Sequence, residues 1–224
     1  MGKRLEARGR IERQIIELGR RHLITEGAAG LSLRAIARDL GMVSSAVYRY
    51  VASRDELLTL LLVDAYSELA DAVDSARDGA AGSWRDQVVS IARAARGWAV
   101  DHPASWALLY GSPVPGYHAP GERTVGPGTR VVGALFDAIA AGIAAGDVRQ
   151  TKVAVTQLLS SDFDRLREEF GFPGDDSAVV KCFALWAGLV GAISLEVFGQ
   201  YGADTLSEPV FDHQVALLAD MVTL

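Results

Sequence analysis

The chain has 224 residues, half of them hydrophobic, and a net charge of −6 at pH 7, enough for one large domain or a small domain joined to a larger one. It has one cysteine and no basic segment followed by a short apolar core, so neither a disulfide framework nor a secretory signal is supported, and a cytoplasmic location is expected. The apolar stretch from Cys182 to Leu195 is shorter than the roughly 18 to 20 residues of a membrane span, which predicts a buried helix.

Charge is unevenly distributed along the chain. Residues 1–63 carry 11 Lys and Arg against 7 Asp and Glu, whereas the remainder carries 11 against 21. A basic head on an acidic body is typical of a protein whose head alone meets a polyanion, because phosphate binding depends on cations gathered on one face. Charged residues that are merely solvated and unevenly distributed along the chain would give the same counts, so charge alone leaves both explanations open.

Apolar residues recur at helical period along nearly the whole chain, which predicts an all-α fold. The predicted helices span residues 7–26, 33–40, 44–51, 53–77, 84–101, 103–110, 128–145, 152–170, 177–199 and 208–222. Ser32 is placed to cap the second helix, and Ser53 with Glu56 predicts a capping box at the start of the fourth. Residues 111–128 hold four prolines and five glycines, which predicts a loop.

The second and third predicted helices have the spacing of a helix-turn-helix. Such a motif needs a small residue where its helices cross, a glycine in the turn four residues later, and an apolar residue that anchors the second helix. Ala37, Gly41 and Val47 meet these conditions. The spacing of Val43, Val47 and Tyr50 predicts that they face the core.

The remaining residues of the third helix would then point outward together; they are Ser44, Ser45, Tyr48 and Arg49. Short hydroxyls, a phenol and a guanidinium suit a helix in a DNA major groove, because small side chains let the backbone approach the base edges. Ser32 and Arg54 flank this row at helix starts, where phosphates would pass. A plain helical hairpin with a solvated polar face stays open as the alternative.

The stretch LSLRAIARDLGMVSSAVYRYVASRDELL, residues 31–58, resembles the DNA-binding signature of the TetR (tetracycline-repressor) family of bacterial regulators. The resemblance covers residues 8–66 and implies a three-helix helix-turn-helix DNA-binding domain at 1–58 and a larger helical effector-binding and dimerisation domain at 59–224. It also implies that Tyr48 grips a phosphate and that Arg54 replaces a more usual lysine. The predicted DNA-binding residues are Ser32, Arg34, Ser44, Ser45, Ala46, Tyr48, Arg49, Tyr50 and Arg54.

A single DNA-binding domain with so small an interface binds DNA weakly. Such domains usually act as two-fold dimers on a palindrome whose half-sites lie roughly 34 to 36 Å apart. The helix at 177–199 has a small-residue stripe, and the last helix has an apolar stripe. The predicted dimer interface is Ala184, Ala187, Gly188, Gly191, Phe211, Val215, Leu218 and Val222. The bulky stripe of the first helix, expected inside its own subunit, is Phe183, Trp186, Val190, Ile193 and Val197. The alternative is that both helices are buried in the core of a monomer.

Aromatic residues between the head and these helices could line an apolar effector cavity. The candidates are Trp98, Trp106, Tyr110, Tyr117, Phe136, Phe163 and Trp186. Residues 102–120 and 186–199 resemble the C-terminal domain type named for its Trp, His and Gly. Val190 stands in the place of the histidine, so a more apolar effector is expected.

Nothing in the sequence indicates catalysis. The four histidines are scattered, no cysteine pair has ligand spacing, and neither a G-x-S-x-G motif, a P-loop nor a dinucleotide glycine pattern is present. No metal, cofactor or enzymatic activity is expected. The sequence predicts a homodimeric, ligand-responsive repressor on a palindromic double-stranded DNA operator; a helical small-molecule-binding or scaffold protein with an incidental basic head is the alternative.

Overall fold

The computed structural model describes residues 2–79, 82–150, 156–202 and 207–223, and every regular element within these ranges is a helix. In chain order the helices are α1 (Gly2–Gly30), α2 (Leu33–Asp39), α3 (Ser44–Val47), α4 (Arg54–Asp78), α5 (Trp84–Asp101), α6 (Pro103–Tyr110), α7 (Gly121–Ala144), α8 (Gln157–Phe170), α9 (Asp176–Val197) and α10 (Ser207–Thr223). The predicted all-α class is confirmed, and α5 and α6 have the predicted bounds.

Side-chain caps begin several of these helices. The Ser32 hydroxyl accepts a hydrogen bond from the backbone N–H of Ala35 at 3.4 Å, as the sequence predicts. The Asp175 carboxylate accepts from the N–H of Ala178 at 2.9 Å and so begins α9. Each cap satisfies one of the N–H groups that a helix start leaves without an internal acceptor, which stabilises the helix by about 1 kcal/mol.

The chain divides into two compact units. The first contains residues Met1–Glu68 and His102–Pro127, and the second contains Leu69–Asp101 and Gly128–Leu224. Two of the three divisions fall inside α4 and inside α7, so each of these helices contributes to both units, and the third falls between α5 and α6. The sequence-based boundary after residue 58 lies within α4 and, as a division between functions, stays a prediction.

The first unit has a continuous apolar core between α1, α2, α3 and the start of α4. Its fully buried members include Ile15, Ile36, Val47 and Leu57. The segment that returns to this unit at residues 102–127 packs against the same core through Ala104, Leu108, Val114 and Tyr117. The first unit, which we call the head from here on, is therefore built from two separate stretches of sequence.

In the second unit, α9 packs against α5, α8 and α10. Among the described residues, α9 alone is long and apolar enough to cross a membrane, with a mean hydropathy of 1.9. However, Leu185 and Leu189 are buried in the protein core, and Glu196 on the same helix forms an ion pair with Arg96 at 2.6 Å. Burial raises the pKa of the Cys182 thiol to about 12. One side of α9 is therefore packed inside the second unit.

The prediction of a loop over residues 111–128 is wrong in its second half, because α7 begins at Gly121 and contains Pro127. Low helix propensity is outweighed here by side-chain contacts, one local and one tertiary. The Thr124 side chain is buried, and its hydroxyl donates to the carbonyl of Pro120 at 3.0 Å. Arg123 forms an ion pair with Glu56 at 2.8 Å. Propensity alone could not reveal these partners.

Other helix ends differ from the predictions. The first helix runs on to residue 30 through a kink at Gly27, whose φ is 67°. The third is a single turn that ends at Val47 rather than at Val51, and it is followed by further turn hydrogen bonds, including Tyr50 N–H to the Val47 carbonyl at 2.9 Å. Part of the predicted start of α8, residues 151–155, lies outside the described residues.

One glycine permits a close approach inside the second unit. A Cβ on Gly142 would lie 2.7 Å from Val148 Cγ2 and 3.0 Å from the ring of Trp84, and both of these side chains are buried. By contrast, a Cβ on Gly97 in α5 would meet nothing within 4 Å. The two helical glycines therefore allow a comparison between a crowded Cβ position and an open one.

We expect Gly142→Ala to lower the free energy of unfolding by about 1 to 3 kcal/mol, because the added methyl overpacks a buried contact. Gly97→Ala should instead raise it by up to about 1 kcal/mol through helix propensity. Chemical denaturation of both variants and the wild type tests this. Equal stability of the two variants would contradict the packing described for Gly142.

Candidate nucleic-acid interface

The helix-turn-helix is formed by α2 and α3 and a glycine turn. Gly41 has φ 65°, a conformation that glycine adopts without steric cost. The N–H of the next residue, Met42, donates to the Ala37 carbonyl at 2.9 Å. Ala37 and Val47 are both buried. The predicted roles of Ala37, Gly41 and Val47 therefore hold, and together they fix how α3 leaves the turn.

The outward side of α3 is polar. Ser45 and Arg49 are exposed, Ser44 is half-buried, and Tyr48 is 45% exposed. On the preceding helix, Arg34 is exposed as well. Hydroxyls, a phenol and two guanidinium groups thus reach solvent from one helix-turn-helix, and these are groups that hydrogen-bond to phosphates and base edges in a major groove.

The buried side of α3 differs from the prediction by one residue. Val43, which the spacing assigns to the core, is 71% exposed, whereas Ala46, which the resemblance assigns to a groove, is buried. Met42 packs against the core in place of Val43. The reason is that α3 is only one turn long and begins at Ser44, so a helical period extended back to Val43 does not apply there.

Tyr50 faces the core of the first unit, as its spacing predicts. It is half-buried against the core of the first unit, and the guanidinium of Arg8 lies 5.8 Å from the centre of its ring. A cation over an aromatic face is a favourable contact. Tyr50 therefore supports the end of the motif from inside, and its contact with DNA stays a prediction.

Arg54, predicted to lie near a phosphate, has a structural role in the free protein. Its guanidinium donates to the Ala28 carbonyl at 2.9 Å and to the Ala29 carbonyl at 3.3 Å. It lies 3.6 Å from the carboxylate of Asp55. These contacts hold the end of α1 against the start of α4. Contact of Arg54 with phosphate stays a prediction.

The segment 102–127 holds the first turns of α4 through two polar contacts. The Tyr117 hydroxyl lies 2.9 Å from the hydroxyl of Thr59, whose side chain is buried. One guanidinium nitrogen of Arg123 lies 3.0 and 2.8 Å from the two carboxylate oxygens of Glu56. Ser53 does accept the N–H of Glu56 at 3.0 Å. The predicted capping box is thus half present, since its glutamate pairs with Arg123.

The predicted effector-pocket aromatics are divided between the two units. Trp106, Tyr110 and Tyr117 belong to the first unit, and Trp98, Phe136, Phe163 and Trp186 belong to the second. In the first, the rings of Trp106 and Tyr110 lie 4.4 Å apart, and burial raises the pKa of Tyr110. In the second, Phe136 stacks on Phe170 at 5.0 Å. Most of this set packs as core, and its contact with an effector stays a prediction.

The predicted dimer stripe on α10 is mostly buried in its own chain, whereas two of the four predicted residues on α9 are exposed. Ala187 and Gly191 are exposed as expected and Ala184 is half-buried, but Phe211, Val215 and Val222 are buried within their own chain. A Cβ on Gly188 would lie 2.5 Å from Leu218 Cδ2, so these two residues pack α9 on α10. The buried face of α9 includes Ala178, Cys182, Leu185, Leu189 and Ala192. Of the predicted bulky stripe, only Ile193 is buried, since a helix apolar all round carries no periodic signal of its orientation.

Two family models match the chain. Residues 15–61 match the model described as bacterial regulatory proteins, tetR family, and residues 88–218 match the one described as tetracyclin repressor-like, C-terminal domain. The likeness of the C-terminal part to the Trp-His-Gly type is not confirmed by these matches.

Curated relatives and solved structures agree with the models. The HTH-type transcriptional regulator Rv1816 of Mycobacterium tuberculosis is 72% identical over 221 residues, which cover 97% of this chain and 94% of that protein. Mb1846 of Mycobacterium bovis, also described as an HTH-type transcriptional regulator, has the same identity and coverage. The crystal structure of SCO4313 has a TM-score of 0.77 and 31% identity, covering 96% of this chain and 98% of that one. The TetR family transcriptional regulator PfmR from Thermus thermophilus has a TM-score of 0.61 at 15% identity, covering 91% and 96%.

The contacts of Arg54 predict a stability effect that is separate from DNA binding. Arg54→Ala removes a charged donor from two backbone carbonyls, so the free energy of unfolding should fall by about 1 to 2 kcal/mol. Arg49→Ala, at an exposed position, should leave it within about 0.5 kcal/mol of the wild type. Denaturation curves of the two variants provide the measurement, and an unchanged Arg54→Ala curve would show that these hydrogen bonds contribute nothing.

Proposed function

This chain belongs to the TetR family of bacterial regulatory proteins, and we propose that it is a dimeric repressor, released from a palindromic operator by a small apolar effector. Proteins of this family are helix-turn-helix transcriptional regulators and not enzymes. The proposal places the chain on DNA in the cytoplasm. The wild-type protein would hold its operator until an effector lowers its affinity.

One observation carries the DNA-binding part of the proposal. Ser45, Tyr48 and Arg49 are exposed together on α3 and the turn that follows it, while Val47 between them is buried and anchors the row. This combination gives a short polar helix surface held by a buried anchor, which is what entry into a major groove requires. A solvated hairpin would need no such anchored row, and the family match favours DNA as its ligand.

An exposed apolar face on α9 supports the dimer. Its members recur at helical spacing and are Val180, Phe183, Ala187, Gly191, Leu195 and Phe198. On α10, Val210 and Leu217 are exposed as well. Monomeric proteins rarely leave so long an apolar stripe in water. We name it the α9 face and propose that a second copy covers it, with Ala187 and Gly191 allowing the partner helix to approach closely.

The switch is proposed to act through α4. This helix begins three residues after Val51, which is buried in the head, and it contributes to both compact units. Its first turns are held by Tyr117 and Arg123. An effector that shifts α4 or α7 in the second unit would change these supports and so reposition α3. A coupling of roughly 1 to 3 kcal/mol between effector and operator is enough for a useful switch.

Selection from random DNA followed by effector screening tests the proposal. The full-length protein should enrich an inverted repeat whose half-site centres lie about one helical turn apart, or a multiple of it. Apolar compounds are then screened for release of that DNA at fixed salt. Failure to enrich any palindrome would contradict operator binding. Transcription that rises rather than falls with the protein present would identify an activator instead.

On the selected operator, Tyr48→Phe should weaken binding to specific and non-specific DNA alike, because it removes a hydroxyl aimed at phosphate. Arg49→Ala should instead relax the preference at one or two positions of each half-site, where a lost bidentate base contact costs about 1 to 3 kcal/mol. Salt-controlled shift assays on matched and mismatched operators measure both effects. Wild-type affinity in both variants would refute the assignment of α3 as the recognition helix.

The α9 face predicts an effect on oligomeric state. Gly191→Glu places a charge in the centre of this face and should convert the dimer to a monomer with at least about tenfold weaker operator binding. Gly97→Glu is the matched control, since both glycines are exposed and helical and neither has an atom within 4 Å of its Cβ position. Sedimentation of both variants gives the result. A dimeric Gly191→Glu protein would place the interface elsewhere.

A further inference from the structure

Val43 stands at the start of α3 in a position that does not suit it. It is the N-cap of the helix, with φ −68° and ψ 141°, and its side chain makes no capping hydrogen bond. An N-cap favours Ser, Thr, Asp or Asn, and an apolar residue there forgoes the capping hydrogen bond. The side chain is also 71% exposed, so it gains little from the core. In the free protein, valine is unfavourable here on both counts.

We propose that Val43 is a specificity-determining residue that contacts the 5-methyl group of a thymine in each operator half-site. The inference rests on the proposed DNA-binding function and adds a base preference to it. Residues that break a local rule without a local gain tend to mark functional positions. The contact with DNA supplies the apolar partner that the free protein lacks.

The position of Val43 favours a base contact over a phosphate contact. In a helix-turn-helix, the N-terminal residues of the recognition helix reach the base edges, and Val43 directly precedes Ser44 and Ser45 on that helix. The serines are short, so the backbone can come near the groove floor. Ala46 is buried and leaves the apolar contact to Val43.

The chemistry of the side chain selects the base. An isopropyl group has no donor or acceptor, so it cannot distinguish guanine, cytosine or adenine by hydrogen bonds. Thymine alone presents a methyl group in the major groove, and small apolar side chains read it by direct contact. Removing water from both surfaces favours the pair by roughly the energy of one buried methyl, which corresponds to about a fourfold change in affinity.

Uracil scanning of the selected operator tests the contact. Each thymine is replaced singly by deoxyuridine, which deletes the methyl and preserves base pairing. Dissociation constants of the full-length wild type and of Val43→Ala are measured on every substituted duplex at one salt concentration, because affinity for DNA varies steeply with salt. The exposure of Val43 makes a loss of folding in the variant unexpected, and thermal melting checks it.

At one thymine position in each half-site, replacement by uracil should weaken binding. There, uracil weakens wild-type binding about fourfold per half-site, or about 15-fold when both half-sites are changed, and has a clearly smaller effect on Val43→Ala, whose short side chain loses most of the contact. Val43→Thr, which keeps one methyl and the shape of the side chain, should retain part of the response.

Ile24→Ala serves as the matched control. Ile24 lies on α1, in the same compact unit, and is 70% exposed, so the substitution removes a similar exposed apolar surface away from α3. This variant should respond to uracil as the wild type does. The proposal is overturned if every uracil substitution affects the wild type and Val43→Ala equally, or if the selected half-site lacks thymine. Failure to enrich any DNA overturns operator binding itself, which is a separate result.

Discussion

The burial of Val47 is the constraint on which the DNA-binding head depends. This side chain is fully enclosed by the core between α1, α2 and α4, and it sits on a helix of a single turn. So short a helix has little stability of its own, because nucleation is costly and few of its hydrogen bonds are internal. Its orientation must therefore come from this anchor and from the Gly41 turn. The exposure of Ser45, Tyr48 and Arg49 on the opposite side follows from the same packing.

The head is completed by sequence that lies far away in the chain. Residues 102–127 add Leu108, Val114 and Tyr117 to its apolar core, and Arg123 neutralises Glu56 at the first turn of α4. Such partly exposed pairs contribute modestly to stability, but this one connects residues 102–127 to the first turn of α4. The head therefore depends on a segment that leads into α7.

The sequence predicted the features that rest on local chemistry. Ala37, Gly41 and Val47 have their expected places because a crossing, a turn and an anchor each demand a particular residue type. Val43 and Ala46 were misplaced because a single turn offers no period to follow. The bulky stripe of α9 was misplaced for a related reason, since a helix apolar on all sides does not show which neighbour covers which side. The start of α7 depended on Arg123 finding a distant partner, Glu56 in α4, that no local pattern of hydrophobicity records.

The burial of Cys182 has a practical consequence. It is the only cysteine in the chain, and its thiol lies inside the second unit with a pKa of about 12, so at neutral pH it is protonated and shielded. A second cysteine introduced on the surface of α3 would then be the sole site for a spin label or fluorophore. The spacing between the two recognition helices of an assembly could be followed in solution with the native thiol left in place.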